Sequence, residues 1–198
     1  MVSTRKPRRA WQRMLSGRRL DLLDPSALDV EIEDIAHGLA RVARWNGQTE
    51  GDHPFSVAQH SVLVEDIVTR IKPLAPQSLK LAALLHDAAE YVVGDLISPF
   101  KVAVGLDYRE LEKSLMRAIH QRFGLAIRLP TAASKLIKRA DGIAAYYEAT
   151  QLAGFSQRDG LKFFGRPSRR VGDLDLTPWP TKTAKARFLK RFAALSPK

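Results

Sequence analysis

The chain has 198 residues, 45% hydrophobic and 27% charged, a composition ordinary for one globular domain with a core of its own. It has no cysteine, which excludes disulfides and thiolate metal sites, so any metal must be held by His, Asp and Glu. A net charge of +11 favours anionic partners (nucleic acid, an anionic membrane surface or phosphorylated small molecules), while no apolar run is long enough to span a membrane.

Residues 1–28 read as a poorly structured basic arm, with Arg5, Lys6, Arg8, Arg9, Arg13, Arg18 and Arg19 in its first 20 positions and no acid among them. The arm lacks the apolar stretch of a secretory signal, although an Arg-rich, acid-free start also suits a transit peptide. A second basic end covers 181–198, with Lys182, Lys185, Arg187, Lys190, Arg191 and Lys198. Solvated tails explain both ends better than nucleic-acid binding, because no nucleic-acid motif accompanies them.

From there the chain reads as helices. Ile32, Ile35, Leu39 and Val42 have helical spacing and predict a first helix over 30–45. The loop NGQTEGDHP follows at 46–54. A second helix is predicted from Ser56 to Ile71, ended by Pro73 and Pro76. A third runs from Ser78, as N-cap, to Gly94, and the loop DLISPFK comes next. Asp107 and Glu110 have capping-box spacing and open a fourth helix that ends at Gly124. The fifth spans Thr131 to Ala153, with Gly154 just past its end. Residues 155–178 read as loop, and a last helix spans Thr181 to Leu195. The expected fold is all-α, with an arm over 1–28 and one helical domain over 29–198.

Three of these helices turn ionisable groups inward. His60 falls on the apolar stripe of Val57, Val64, Ile67 and Ile71. His86 and Glu90 share a face with Leu79 and Ala83, and Asp87 lies beside them. Asp141 and Glu148 share a face with Ile137 and Ala144. A lone inward His is more often a hydrogen-bonded core residue, and a lone Asp a buried partner of Arg. Groups of metal-binding type on three helices together are better explained by a metal that neutralises them, as in helical bundles with metal sites.

The ordered set RW at 44–45, SVAQHS at 56–61, HDAAE at 86–90, GDLISPFK at 94–101 and KRADGIAAY at 138–146 resembles the HD-domain metal-dependent phosphohydrolases. The similarity is greatest to the bacterial YfbR-like 5′-deoxynucleotidases, whose pattern runs RW…SVAEHS…HDASE…GDLPTPVK…KQADAL, and it covers about residues 30–153. It implies an HD-domain helical bundle in which His60, His86, Asp87 and Asp141 bind one divalent ion, Co, Mn, Mg, Zn or Fe. It implies proton transfer by Glu90, whose alternative role is a hydrogen-bond acceptor behind the ligands. It places Arg44 on the phosphate, where it would also stabilise transition-state charge. Trp45 would pack against sugar or base, and Asp95 would accept from a sugar hydroxyl. Ser98, with Lys101, would line the same wall. Without the family, Trp45 reads as a core aromatic, Asp95 as a turn residue and Lys101 as solvated.

The implied activity is phosphate release from deoxynucleoside 5′-monophosphates by a cytoplasmic bacterial homodimer. Two alternatives stand beside it: hydrolysis of dNTPs or signalling nucleotides by the same chemistry, and a basic nucleic-acid-binding helical protein with a structural metal. Gln59 in place of the usual acid, and ISP in place of PTP after Asp95, depart from the pattern near the substrate rather than the metal. His53 is an additional candidate ligand or phosphate contact, better placed in a surface loop. His37 and His120 read as structural.

Overall fold

The structure, a computed structural model, describes residues 10–96 and 108–196. Ser98, Lys101 and the predicted cap Asp107 lie outside the described residues. The rest is a helical bundle around one long buried helix. The helices are α1 (Ile32–Leu39), α2 (Val57–Ile71), α3 (Gln77–Leu84), α4 (Glu90–Val93), α5 (Tyr108–Arg122), α6 (Thr131–Gln151), α7 (Gln157–Phe164) and α8 (Thr181–Leu195).

Helix α2 is the axis. Its start is set by Ser56, whose hydroxyl accepts from the Gln59 amide at 3.2 Å, an N-cap bond. Ten of its 15 residues are buried, from Val57 to Val68. A helix buried on more than one face must be covered on more than one side. Here α3, α6 and α8 pack around it. Phe55, Ile67, Leu81, Leu84 and Phe188 are fully buried in the resulting core. Each such side chain contributes about 1.5–3 kcal/mol of transfer free energy.

The basic arm holds more structure than its charge suggests. From Ala10 onward it is ordered: strands β1 (Trp11–Arg13) and β2 (Arg19–Asp21) pair antiparallel, with Gln12 opposite Leu20. Arg13 and Arg19 lie against the Trp11 ring, at 5.7 and 4.6 Å from its centroid. Leu20 is fully buried, and Met14 nearly so, in the same core as the helices. Ser16 at the turn donates to Asp34 of α1 through both its amide (2.9 Å) and its hydroxyl (2.5 Å).

Three helix boundaries also differ from expectation. The first helix ends at Leu39, not 45, because the chain then pairs with the approach to α2: Arg44 N donates to Phe55 O and Val57 N to Val42 O. The third helix is broken. After Leu84 the chain tightens, with His86, Ala88 and Glu90 amides donating three residues back rather than four. The helical pattern resumes only at Glu90. Finally, residues 157–164, expected as loop, form α7. Ser156 caps it by accepting from Asp159 N at 3.1 Å. The Gly160 inside it, a poor helix former, hides the helix from a propensity reading. Helices α6 and α8 follow the predicted spans closely, and Gly154 adopts the left-handed conformation (φ 73°) that ends α6.

Candidate functional site

The Ser56 cap places His60 in the first turn of α2, wholly buried. Its Nδ1 lies 2.6 Å from Glu148 Oε1 on α6. Its Nε2 faces His86 Nε2 at 3.3 Å, Asp87 Oδ2 at 3.4 Å and Asp141 Oδ1 at 3.3 Å. His86 Nε2 and Asp87 Oδ2 are 3.1 Å apart. The tightened turn after α3 leaves the Ala83 carbonyl within 2.9 Å of His86 Nδ1. The structure therefore gathers His60, His86 and Asp141, from α2, the α3–α4 turn and α6, into one group of metal-ligand type, with Asp87 Oδ2 against both imidazoles.

The two rings cannot face each other this way without a cation. Each Nδ1 meets a pure acceptor, a carbonyl for His86 and an ionised carboxylate for His60. Each Nδ1 must therefore carry a proton, so in the neutral rings both Nε2 atoms present lone pairs. The His60 Nε2 lone pair then faces a second lone pair and two carboxylates at 3.3–3.4 Å, and His86 Nε2 lies 3.1 Å from Asp87 Oδ2. Either protons or a metal ion must sit among them. Donors about 2.1 Å from one ion and roughly 90–110° apart lie about 3.0–3.4 Å from each other, given ordinary metal–N and metal–O lengths. The residues present fit a divalent ion, and the second bond on each ring is the kind that fixes a metal-binding imidazole.

The charges follow. Burial pushes the His60 pKa down and Arg44 adds to this, but Glu148, Asp141 and Asp87 overcome both and hold it well above its ordinary value. Burial raises Asp87, yet the facing imidazoles bring its carboxyl well below the usual range. Asp141 is lowered too, with His60 offsetting its burial. Glu148 is fully buried, and Arg44 and His60 outweigh that burial to bring its pKa to about 2. Glu90 goes the other way. It is 4% exposed, and burial together with the Asp87 and Asp95 carboxylates pushes its pKa up to about 9. Among the described residues its Oε2 has no hydrogen-bond partner.

Glu148 also gathers the next layer. Its Oε2 accepts from Arg44 Nε at 3.2 Å and Trp45 Nε1 at 2.9 Å. Arg44 Nη1 reaches Asp95 Oδ2 at 3.5 Å. Arg44, Trp45 and Asp95 thus lie against the cluster, on a short 3-10 turn (Arg44–Gly47) and just past α4. Trp45 and Asn46 both hold left-handed backbone, at φ 56° and 52°. Asn tolerates this, but a Trp there costs on the order of 1–3 kcal/mol, sustained only by a rigid setting. Here the setting is the Glu148 bond and the Phe155 and Phe164 rings, 5.6 and 5.9 Å away.

Glu148 is the residue whose part sequence reasoning missed. It was visible as an inward acid sharing a face with Asp141, but no motif pointed to its bonds. His53 is exposed, apart from the cluster. His120 is buried, with Nδ1 at 2.9 Å from Ala126 O, and His37 is half-buried near Arg41 and Lys185. Gln59, at the departure from the family pattern, clamps the chain before α8. It donates to Thr177 O at 2.9 Å and accepts from Trp179 N at 2.8 Å. No helix among the described residues is long and apolar enough to cross a membrane.

Comparison with known proteins adds three findings. The family model described as 5′-deoxynucleotidase YfbR-like matches residues 35–153. An uncharacterised protein of Rhodobacter capsulatus is 53% identical over 95% of this chain and 96% of its own. The uncharacterised protein YfdR of Escherichia coli is 31% identical over 85% of each chain.

Proposed function

The chain belongs to the YfbR-like 5′-deoxynucleotidase family, within the HD-domain superfamily, and from that premise we propose that it is a divalent-metal-dependent phosphohydrolase releasing phosphate from deoxynucleoside 5′-monophosphates. In this reading His60, His86, Asp87 and Asp141 hold one ion, Mn, Co, Fe, Mg or Zn, which when bound supplies Lewis acidity toward a phosphoryl oxygen and a nucleophile at neutral pH. Arg44 binds the phosphate and stabilises the charge that develops on it. Glu90 carries the proton that the departing sugar oxygen takes as the P–O bond breaks. Asp95, held by Arg44, accepts from a sugar hydroxyl, and Trp45 packs beside the nucleoside. The family resemblance adds Ser98 to the substrate-binding residues. The protein acts in the cytoplasm as a homodimer.

The observation that supports this most is the double use of Glu148. One oxygen orients the His60 ring toward the metal-type cluster, and the other holds Arg44, the phosphate-type cation. The guanidinium is thereby fixed beside the cluster, where a phosphate group would meet both.

The test is phosphate release from dNMPs, NMPs and dNTPs by metal-stripped protein given Co, Mn, Mg or Zn in turn. Metal-dependent phosphate from dNMPs, lost in Asp87→Asn with helicity intact, is the expected result. Tripolyphosphate from dNTPs would keep the chemistry and replace the substrate. No turnover with any metal, together with salt-sensitive DNA binding, would replace the enzyme with a nucleic-acid-binding protein.

A further inference from the structure

Helix α7 lies beyond the family-matched residues 35–153, yet it docks against the candidate site. The docking rests on Gly160. At Gly160 a Cβ would lie 2.6 Å from Thr150 Cγ2 and 3.1 Å from Tyr146 Cε2, so only glycine lets α7 lie this close to α6. At Gly142, beside Asp141, a Cβ would lie 3.9 Å from the Phe164 carbonyl oxygen. The C-terminal end of α7 is thereby set next to the Asp141 turn of α6.

That end is aromatic. Phe164 packs on Trp45 at 5.9 Å between centroids, Phe155 on Trp45 at 5.6 Å, and Phe163 on Phe155 and Phe164 at 6.3 and 6.5 Å. Trp45 and Phe164 are half-buried, but Phe163 is 61% exposed. Lys162 Nζ stands 5.3 Å from the centre of the Phe163 ring, a cation beside the exposed aromatic. A large exposed aromatic ring supported by other rings is a stacking platform of the kind that binds nucleobases. The polar groups that would meet phosphate and sugar, Arg44 and Asp95, adjoin Trp45 on the inner side.

We infer that the α7 aromatic end is the base-reading wall of the site, with Phe163 stacking on the nucleobase of a nucleotide whose phosphate is held at Arg44. This deepens the proposed function and rests on it for the location of the phosphate. Stacking is tolerant of base identity, so the wall selects for the presence of a base rather than for one base.

The experiment compares dAMP, dTMP and 2-deoxyribose 5-phosphate, which lacks a base, on the metal-loaded wild-type protein, Phe163→Ala and Phe163→Trp. KM is read where turnover occurs, and calorimetric affinity where it does not. The wild type should prefer both nucleotides over the sugar phosphate. Phe163→Ala should weaken the nucleotides roughly tenfold, in line with the loss of one stacked base, and leave the sugar phosphate unchanged. Phe163→Trp should restore the preference. Equal values for sugar phosphate and nucleotides in the wild type, or a preference that survives Phe163→Ala, would overturn the inference while leaving phosphate release intact. A Phe163→Ala protein that changes only its oligomeric state would overturn it in favour of a contact between copies. A base preference that Phe163→Ala removes, in a protein that hydrolyses nothing, would support the wall and count against the phosphohydrolase alone.

Discussion

His60 and Glu148 are joined by a 2.6 Å bond between Nδ1 and Oε1, across 88 residues of sequence. The bond decides which nitrogen of His60 faces the cluster, because a ring that donates from Nδ1 must present its lone pair at Nε2. Glu148→Gln keeps the shape and removes the charge. Metal affinity should fall about 10- to 100-fold, the usual effect of losing a partner behind a ligating histidine. Titration calorimetry with Mn or Co checks it. A carboxylate needed only for folding would lower the melting temperature and leave the affinity of the folded protein unchanged.

The same carboxylate predicts an acid-labile native state. The folded pKa of Glu148 is about 2, below its ordinary 4.5, so the native state favours the charged form. Its contribution is complete above pH 4.5 and is lost as pH falls from there through 2. The gap corresponds to roughly 3 kcal/mol, shared with Arg44 and His60 and counted once for all three. Urea titrations of metal-stripped protein at pH 5 and at pH 2.5 should show the loss. Glu148→Gln should lose much less across the same window. Equal losses in the two proteins would contradict the assignment.

Gln59 predicts the direction of a change toward the family pattern. Its amide must donate to Thr177 O and accept from Trp179 N at once, and it is 2% exposed. A carboxylate in Gln59→Glu can only accept, so it would face the Thr177 carbonyl with no donor between them. The cost is about 2 kcal/mol or more for the buried groups left unpaired. The melting temperature should fall by roughly 4–8 °C for a domain of this size. An unchanged or raised value would show that the 175–179 segment does not depend on the clamp.

Gly160→Ala should raise intrinsic helix propensity and still destabilise the protein. The added methyl meets Thr150 and Tyr146, and overpacking of this kind costs about 1–3 kcal/mol. Near-ultraviolet circular dichroism should change as the Trp45–Phe155–Phe164 contacts loosen, while the far-ultraviolet spectrum holds. A stabilised protein would mean that α7 docks more loosely than its glycine implies.

Much of this arrangement was legible in the residues. Spacing alone placed His60, His86 and Asp141 on inward faces, with Asp87 beside them, and the donor atoms of the first three lie close together. The long helices α2 and α6 were legible because an end signal, Ser56 before α2 and Gly154 after α6, adjoins an apolar stripe. The break after Leu84 was not, because LKLAALLHDAAE has an unbroken helical composition and the turn is made by backbone bonds three residues apart. The hairpin was hidden by its arginines. Arg13 and Arg19 lie on the Trp11 ring, and Leu20, fully buried, follows Arg19 directly. Glu148 could be seen to face inward, but its three partners come from 44, 45 and 60, and only the fold brings those together.

The central position of α2 has a consequence for how the protein comes off the ribosome. Its buried sides are covered by α6 and α8, which span residues 131–151 and 181–195. Gln59 finds its clamp only at Thr177 and Trp179. During synthesis α3 can cover one side of α2 early, but the sides that α6 and α8 cover stay exposed until nearly the whole chain has emerged, and His60 waits for Glu148. Contacts so distant in sequence close late and slowly. The interval is one in which exposed apolar surface leaves a nascent chain open to aggregation.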